Sequence, residues 1–156
     1  MGSGPASKPC YLRNMIRLVL LCLLPTSLSA WEFTPGLPCR LTHQSAEAAI
    51  ELTYDPTQPL YTLTIIRAGP WPRAPQFEMQ FDGPRAVRIG TDRHQLSQDM
   101  HALRVADAGF GNVLDGLQFN VTATALTGGV RVAFPLDGIA SPLAAFRACA
   151  PSKPLS

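Results

Sequence analysis

The chain has 156 residues, 46% of them hydrophobic and 15% charged, with 15 prolines, 12 glycines and a formal net charge of +2. That length suits one domain with a core of its own, and so many turn formers count against a helical bundle. The positive excess comes from the first thirty residues, so the remainder lacks the basic footprint of a nucleic-acid binder.

Lys8, Arg13 and Arg17 precede an apolar run over residues 18–24, and Pro25 follows it. Ser27-Leu28-Ser29-Ala30 puts small residues at the −3 and −1 positions of a cut after Ala30. Basic start, short apolar centre and small-x-small end predict a secretory signal peptide over 1–30 and a single β-rich domain over 31–156. Residues 15–30, from Met15 onward, already make a compact leader of this kind. A bilayer span needs about 20 apolar residues, so no stable span is expected once the leader is cut. The mature part then carries 10 basic residues against 11 acidic ones, a net charge of −1. A periplasmic or secreted location follows.

Cys10 and Cys22 leave with the leader, and Cys39 and Cys149 remain as one pair in an oxidising compartment. They are expected to form a disulfide that closes almost the whole mature chain.

Residues 31–38 read as an extended arm, because Pro35 and Pro38 exclude a helix. A short strand is predicted over 39–43. The next run alternates cleanly, with Ala46, Ala48, Ile50, Leu52 and Tyr54 on one face and Glu47, Glu51 and Thr53 on the other. Asp55, Pro56 and Pro59 make a turn into a β-branched strand over 60–67. A proline-rich loop, Gly69-Pro70-Trp71-Pro72-Arg73-Ala74-Pro75, leads to the alternating Phe77, Met79 and Phe81. Val87 and Ile89 mark another strand. The hydrophilic stretch 91–101 precedes Leu103 and Val105, and residues 109–116 read as a glycine-punctuated connection. Leu117, Phe119, Val121, Ala123 and Ala125 suggest a long strand, and Gly128-Gly129 a hairpin turn into residues 130–134. Ser141 as a cap and Pro142 at the first helical position predict one short helix before Cys149 and Pro151. The fold expected is mainly β, an antiparallel sandwich or barrel of about eight strands with a short C-terminal helix.

Three stretches resemble small exported bacterial proteins of unknown function. They are residues 31–39, residues 109–117, and Phe134-Pro135-Leu136-Asp137-Gly138 with its continuation to Cys149. The ending also resembles the invasion-associated locus B family, exported β-sandwich proteins whose last strand and glycine run into a short Ala/Phe-rich helix. That resemblance implies a sandwich and a role in envelope or host interaction, and it carries over no catalytic residue.

Two groups of side chains are candidates for chemistry. Asp92-x-His94 and Asp99-x-His101 each place an acid and an imidazole on one strand face, and a hairpin between them would gather four metal-ligand types. Trp71, held between prolines with Arg73 beside it, is either a rigid aromatic anchor for a partner or a plug closing one end of the sandwich. His43 stands alone and reads as a surface or satisfied histidine. No G-x-x-x-x-G-K-[ST] loop, complete G-x-G-x-x-G or G-x-S-x-G elbow occurs, so no cofactor is expected. The leading expectation is a non-enzymatic interaction protein of the cell envelope that meets an envelope or extracellular protein through Trp71 and Arg73. The alternative is a metal-binding protein that uses Asp92, His94, Asp99 and His101.

Overall fold

A computed structural model describes residues 2–4 and 30–149. Residues 5–29 of the predicted leader and Pro151, the predicted helix stop, lie outside the described residues.

Alternation writes most of the sandwich. In β2 (Cys39–Gln44), Cys39, Leu41 and His43 point inward; in β3 (Ala48–Asp55), Ala48, Ile50 and Leu52 do so. β4 (Leu60–Arg67) contributes Leu63 and Ile65, and β5 (Phe77–Asp82) contributes Phe77, Met79 and Phe81. Strands with one buried face need this period of two, because successive side chains point to opposite sides. β1 (Glu32–Thr34), β6 (Val87–Thr91), β7 (Gln95–Leu96), β8 (Ala102–Asp107), β9 (Thr122–Thr127) and β10 (Val130–Pro135) complete two wholly antiparallel sheets. One sheet has six strands in the order β1-β2-β3-β4-β8-β7, and the other has four in the order β10-β9-β5-β6. Their inner faces share one apolar core. Packing alternates small with large: in register, Ala123 of β9 lies between Phe81 of β5 and Phe134 of β10.

Among the described residues ten strands form rather than about eight. The additional pair is β1, inside the predicted arm, and the two-residue β7, inside the hydrophilic stretch. A larger departure is helix α1 (Gly111–Phe119), where a glycine-rich connection and the start of a strand were expected. Val113, Leu114 and Leu117 fall at helical spacing and bury one face. Val121, predicted to point inward, is 58% exposed, because the strand begins only at Thr122. Gly116 lets α1 approach the sheet, since a Cβ there would sit 2.5 Å from a ring carbon of the buried Phe81.

Helix α2 (Ala140–Arg147) starts one residue ahead of Ser141, with Ile139 at the cap and no side-chain cap bond, so Ser141 does not cap it. Leu143 and Phe146 bury its inner face, and α2 packs on β1 and β2. Just beyond it, Cys149 is bonded to Cys39 across 110 residues, with the Cα atoms 6.5 Å apart. The predicted staple is present, and it ties the C-terminal helix to the start of β2.

Candidate functional site

The proline-rich loop closes one end of the sandwich. Trp71 is 0% exposed; its indole Nε1 donates to the Ile65 carbonyl at 3.2 Å and its backbone N–H to the Met100 carbonyl at 2.7 Å. The Arg67 guanidinium lies 5.4 Å from the centre of the indole and donates to the Pro70 carbonyl at 2.6 Å. On the other side, the Thr127 hydroxyl donates to the Gln76 carbonyl. At Gly128, whose φ is +54°, a Cβ would come within 2.6 Å of Pro72. The loop is therefore clamped between the β7–β8 turn and the β9–β10 hairpin. This geometry removes Trp71 from the contact role and makes it the plug: a buried ring has no face for a partner. Arg73 stays exposed, with no acidic partner among the described residues.

A hairpin does form here, with Gln95 opposite Arg104 and Leu96 opposite Leu103, but its turn contains the second Asp-x-His pair rather than lying between the two pairs. It does not gather the four side chains. Asp99 belongs to the turn itself, accepting from the Ser97 hydroxyl and from the His101 backbone N–H. Those two donors, the hydroxyl foremost, hold its carboxyl below the usual range. Met100 sits at φ +64°, the one non-glycine left-handed residue among those described. It is fixed by its own N–H to the Ser97 carbonyl and by the bond from Trp71. The His101 Nδ1 lies 3.1 Å from the Arg67 carbonyl, which ties that ring to β4. His94 instead packs against Phe77 at 6.2 Å. Among the described residues no three His, Cys, Asp or Glu side chains converge on a point where a metal could sit. The metal reading built on Asp92, His94, Asp99 and His101 gains no support from this arrangement: Asp99 is engaged by the Ser97 hydroxyl and the His101 N–H, and the His101 ring by the Arg67 carbonyl.

What the fold does bring together is Arg73, Pro75, Asp92, His94 and Gln98, around an open groove of about 460 Å³ between the proline-rich loop and the β6–β8 crossover. Arg73 and Asp92 are both exposed and neither is in a salt bridge among the described residues. The His94 Nδ1, turned into the protein, has no hydrogen-bond partner. Comparison with family models, with curated proteins and with solved structures found no match for this chain. Any functional reading therefore rests on the geometry.

One imidazole is buried among the described residues, that of His43, whose Nδ1 has no hydrogen-bond partner, so it is neither the surface histidine nor the satisfied one expected from the sequence. His43 is 4% exposed, stacked on Trp31 with ring centres 4.8 Å apart and edge-on to Phe134 at 6.3 Å. Trp31 is itself buried, and its indole donates to the Pro135 carbonyl at 2.8 Å. The available signal was parity, because His43 follows Cys39 and Leu41 on the inward face of β2. Burial pushes the His43 pKa down, with a hydrogen bond to the Ala30 backbone opposing it. A folded pKa below the unfolded value of about 6.5 means the unfolded chain takes up the proton first. His43 thus favours the fold above pH 6.5, and that contribution is lost as the pH falls through the folded value. Melting temperatures at about pH 7.5 and about pH 5 should differ more for the wild type than for His43→Phe, which keeps the ring stack. Equal differences would assign the acid sensitivity elsewhere.

Proposed function

We propose that this chain is an exported, non-enzymatic interaction module of the cell envelope that meets a partner protein at the Arg73–Asp92 groove. The observation that carries this reading is a pair of opposite charges on one groove, Arg73 on a loop that cannot move freely and Asp92 on the β6–β7 connection, neither in a salt bridge among the described residues. Prolines 70, 72 and 75 and the buried Trp71 fix the loop before any partner arrives, which lowers the entropy lost on association. Charges on such a rim select and orient a partner through complementary potential. Export is supported by the disulfide, a bond that persists in oxidising compartments. Among the described residues no helix is long and apolar enough to cross a membrane.

The groove's polar atoms are also arranged for display rather than for reaction. The Ser97 hydroxyl bonds Asp99 and the Ala102 N–H, so no imidazole is poised to activate it. A photo-crosslinking residue placed at Gln98, on the groove rim, should give a discrete adduct in the producing cell. The same residue placed at Ala133, exposed on β10 of the other sheet, should give none. Adducts from both positions, or from neither, would defeat the reading.

A further inference from the structure

The two sheets do not close on each other along one side. β6 ends the four-stranded sheet, and the larger sheet continues past β4 to β8 and the two-residue β7. Between them lies a slot of about 240 Å³. Its walls are two cross-strand pairs facing each other, Leu63 with Val105 from the large sheet and Met79 with Ile89 from the small one. Phe110, at the start of α1, closes the inner end. Ile89 and Val105 are left half-buried against the core. Protein interiors are packed as densely as organic crystals, so a half-open space of this size, walled by these apolar pairs and edged by Thr91 and Asn112, is an unfilled feature of the fold. A dry apolar cavity of about 150 Å³ already accepts benzene.

The mouth of the slot has one polar arrangement. Arg93, whose side chain is 67% exposed, donates through one terminal nitrogen to Asp107. The other oxygen of that carboxylate accepts the Ala108 N–H at 2.7 Å. Both oxygens of Asp107 therefore hold a donor, and the second terminal nitrogen of Arg93 has no acceptor among the described residues. A planar guanidinium with free N–H groups is matched to a carboxylate. We propose that this slot is a binding site for a small monocarboxylate with an unbranched aliphatic tail, the tail between the sheets and the carboxylate on Arg93. The facing apolar pairs select an aliphatic tail, and the N–H groups of Arg93 not used by Asp107 select an anionic head. The slot lies across the Asp92–His94 crossover from the groove, so its test is separate from that of the partner reading.

Calorimetric titration of the oxidised protein with sodium octanoate should show saturable 1:1 binding. Hexanoate, two methylenes shorter, should bind about fifteenfold more weakly, since each buried methylene is worth about fourfold. 1-Octanol, which has the same tail without the charge, should also bind more weakly than octanoate. Arg93→Gln, a change at an exposed position, should weaken octanoate about tenfold and leave octanol unaltered. Val105→Phe should fill the slot and abolish both; its folding is checked by a cooperative melt, and if it fails to fold the Arg93→Gln comparison decides alone. Octanol binding as tightly as octanoate, an Arg93→Gln variant that binds octanoate like the wild type, or no saturation by about 10 mM would overturn the assignment, the last placing affinity below what so small a buried tail should supply.

Discussion

Replacing Cys149 by serine should lower the melting temperature by about 10–15 °C while leaving a folded domain. The chain-entropy model assigns about 4–5 kcal/mol to closing a loop of this length, and measured disulfides commonly deliver about 2–4 kcal/mol. For a domain of this size each kcal/mol moves the midpoint by about 3–5 °C. Cys149 is the better end to change, because it is half-buried whereas Cys39 is wholly buried and a serine there would add an unsatisfied hydroxyl. Without the bridge, α2 keeps the burial of Leu143 and Phe146 and the ion pair of Arg147 with Asp115 at 2.7 Å. An exposed pair of that kind contributes about 0–1 kcal/mol, so the apolar face must hold the helix. Reductant should reproduce the drop in the wild type and do nothing further to the variant. A wild type indifferent to reductant, with both thiols open to alkylation, would show that the bond does not form in the protein as made.

How much of this could be read from the residues depended on whether local pattern or distant contact decided the outcome. β2 to β5 were legible because each buries one face, and a period of two is hard to counterfeit over six to eight residues. The same rule misled between Leu117 and Ala125, where apolar residues alternate across the end of a helix and the start of a strand. The helical spacing of Val113, Leu114 and Leu117 was the competing signal, and the flanking glycines hid it. Gly116 reads as a helix weakener until Phe81 is seen beneath it. The disulfide was visible by subtraction once Cys10 and Cys22 of the predicted leader were set aside. A turn near Ser97 and Asp99 was visible as well, though not that it would take the whole second Asp-x-His pair into itself. Nor were the bonds that hold Asp99 and His101, which come from the Ser97 hydroxyl nearby and from the Arg67 carbonyl of β4, over thirty residues away. The slot beside Arg93 has no local signature, since it arises from sheets of unequal width.

Trp71→Ala should destabilise the protein by about 3–5 kcal/mol, the usual loss for removing a wholly buried large aromatic. The change leaves a void at the end of the sandwich and takes away the indole bond to Ile65. It also loosens the loop whose backbone N–H helps to hold Met100 left-handed. Arg73→Ala, two residues on and exposed, should alter stability by no more than about 0.5 kcal/mol. Urea unfolding separates the two positions directly, and equal stabilities for wild type and Trp71→Ala would mean the ring is not the plug. The contrast also governs how binding is interpreted. Loss of a partner in Trp71→Ala says little, because the groove rests on that ring. Trp71→Phe, which keeps most of the buried volume, is the informative variant. Partner binding retained in Trp71→Phe and lost in a stably folded Arg73→Ala would assign recognition to the guanidinium and leave the indole its supporting role.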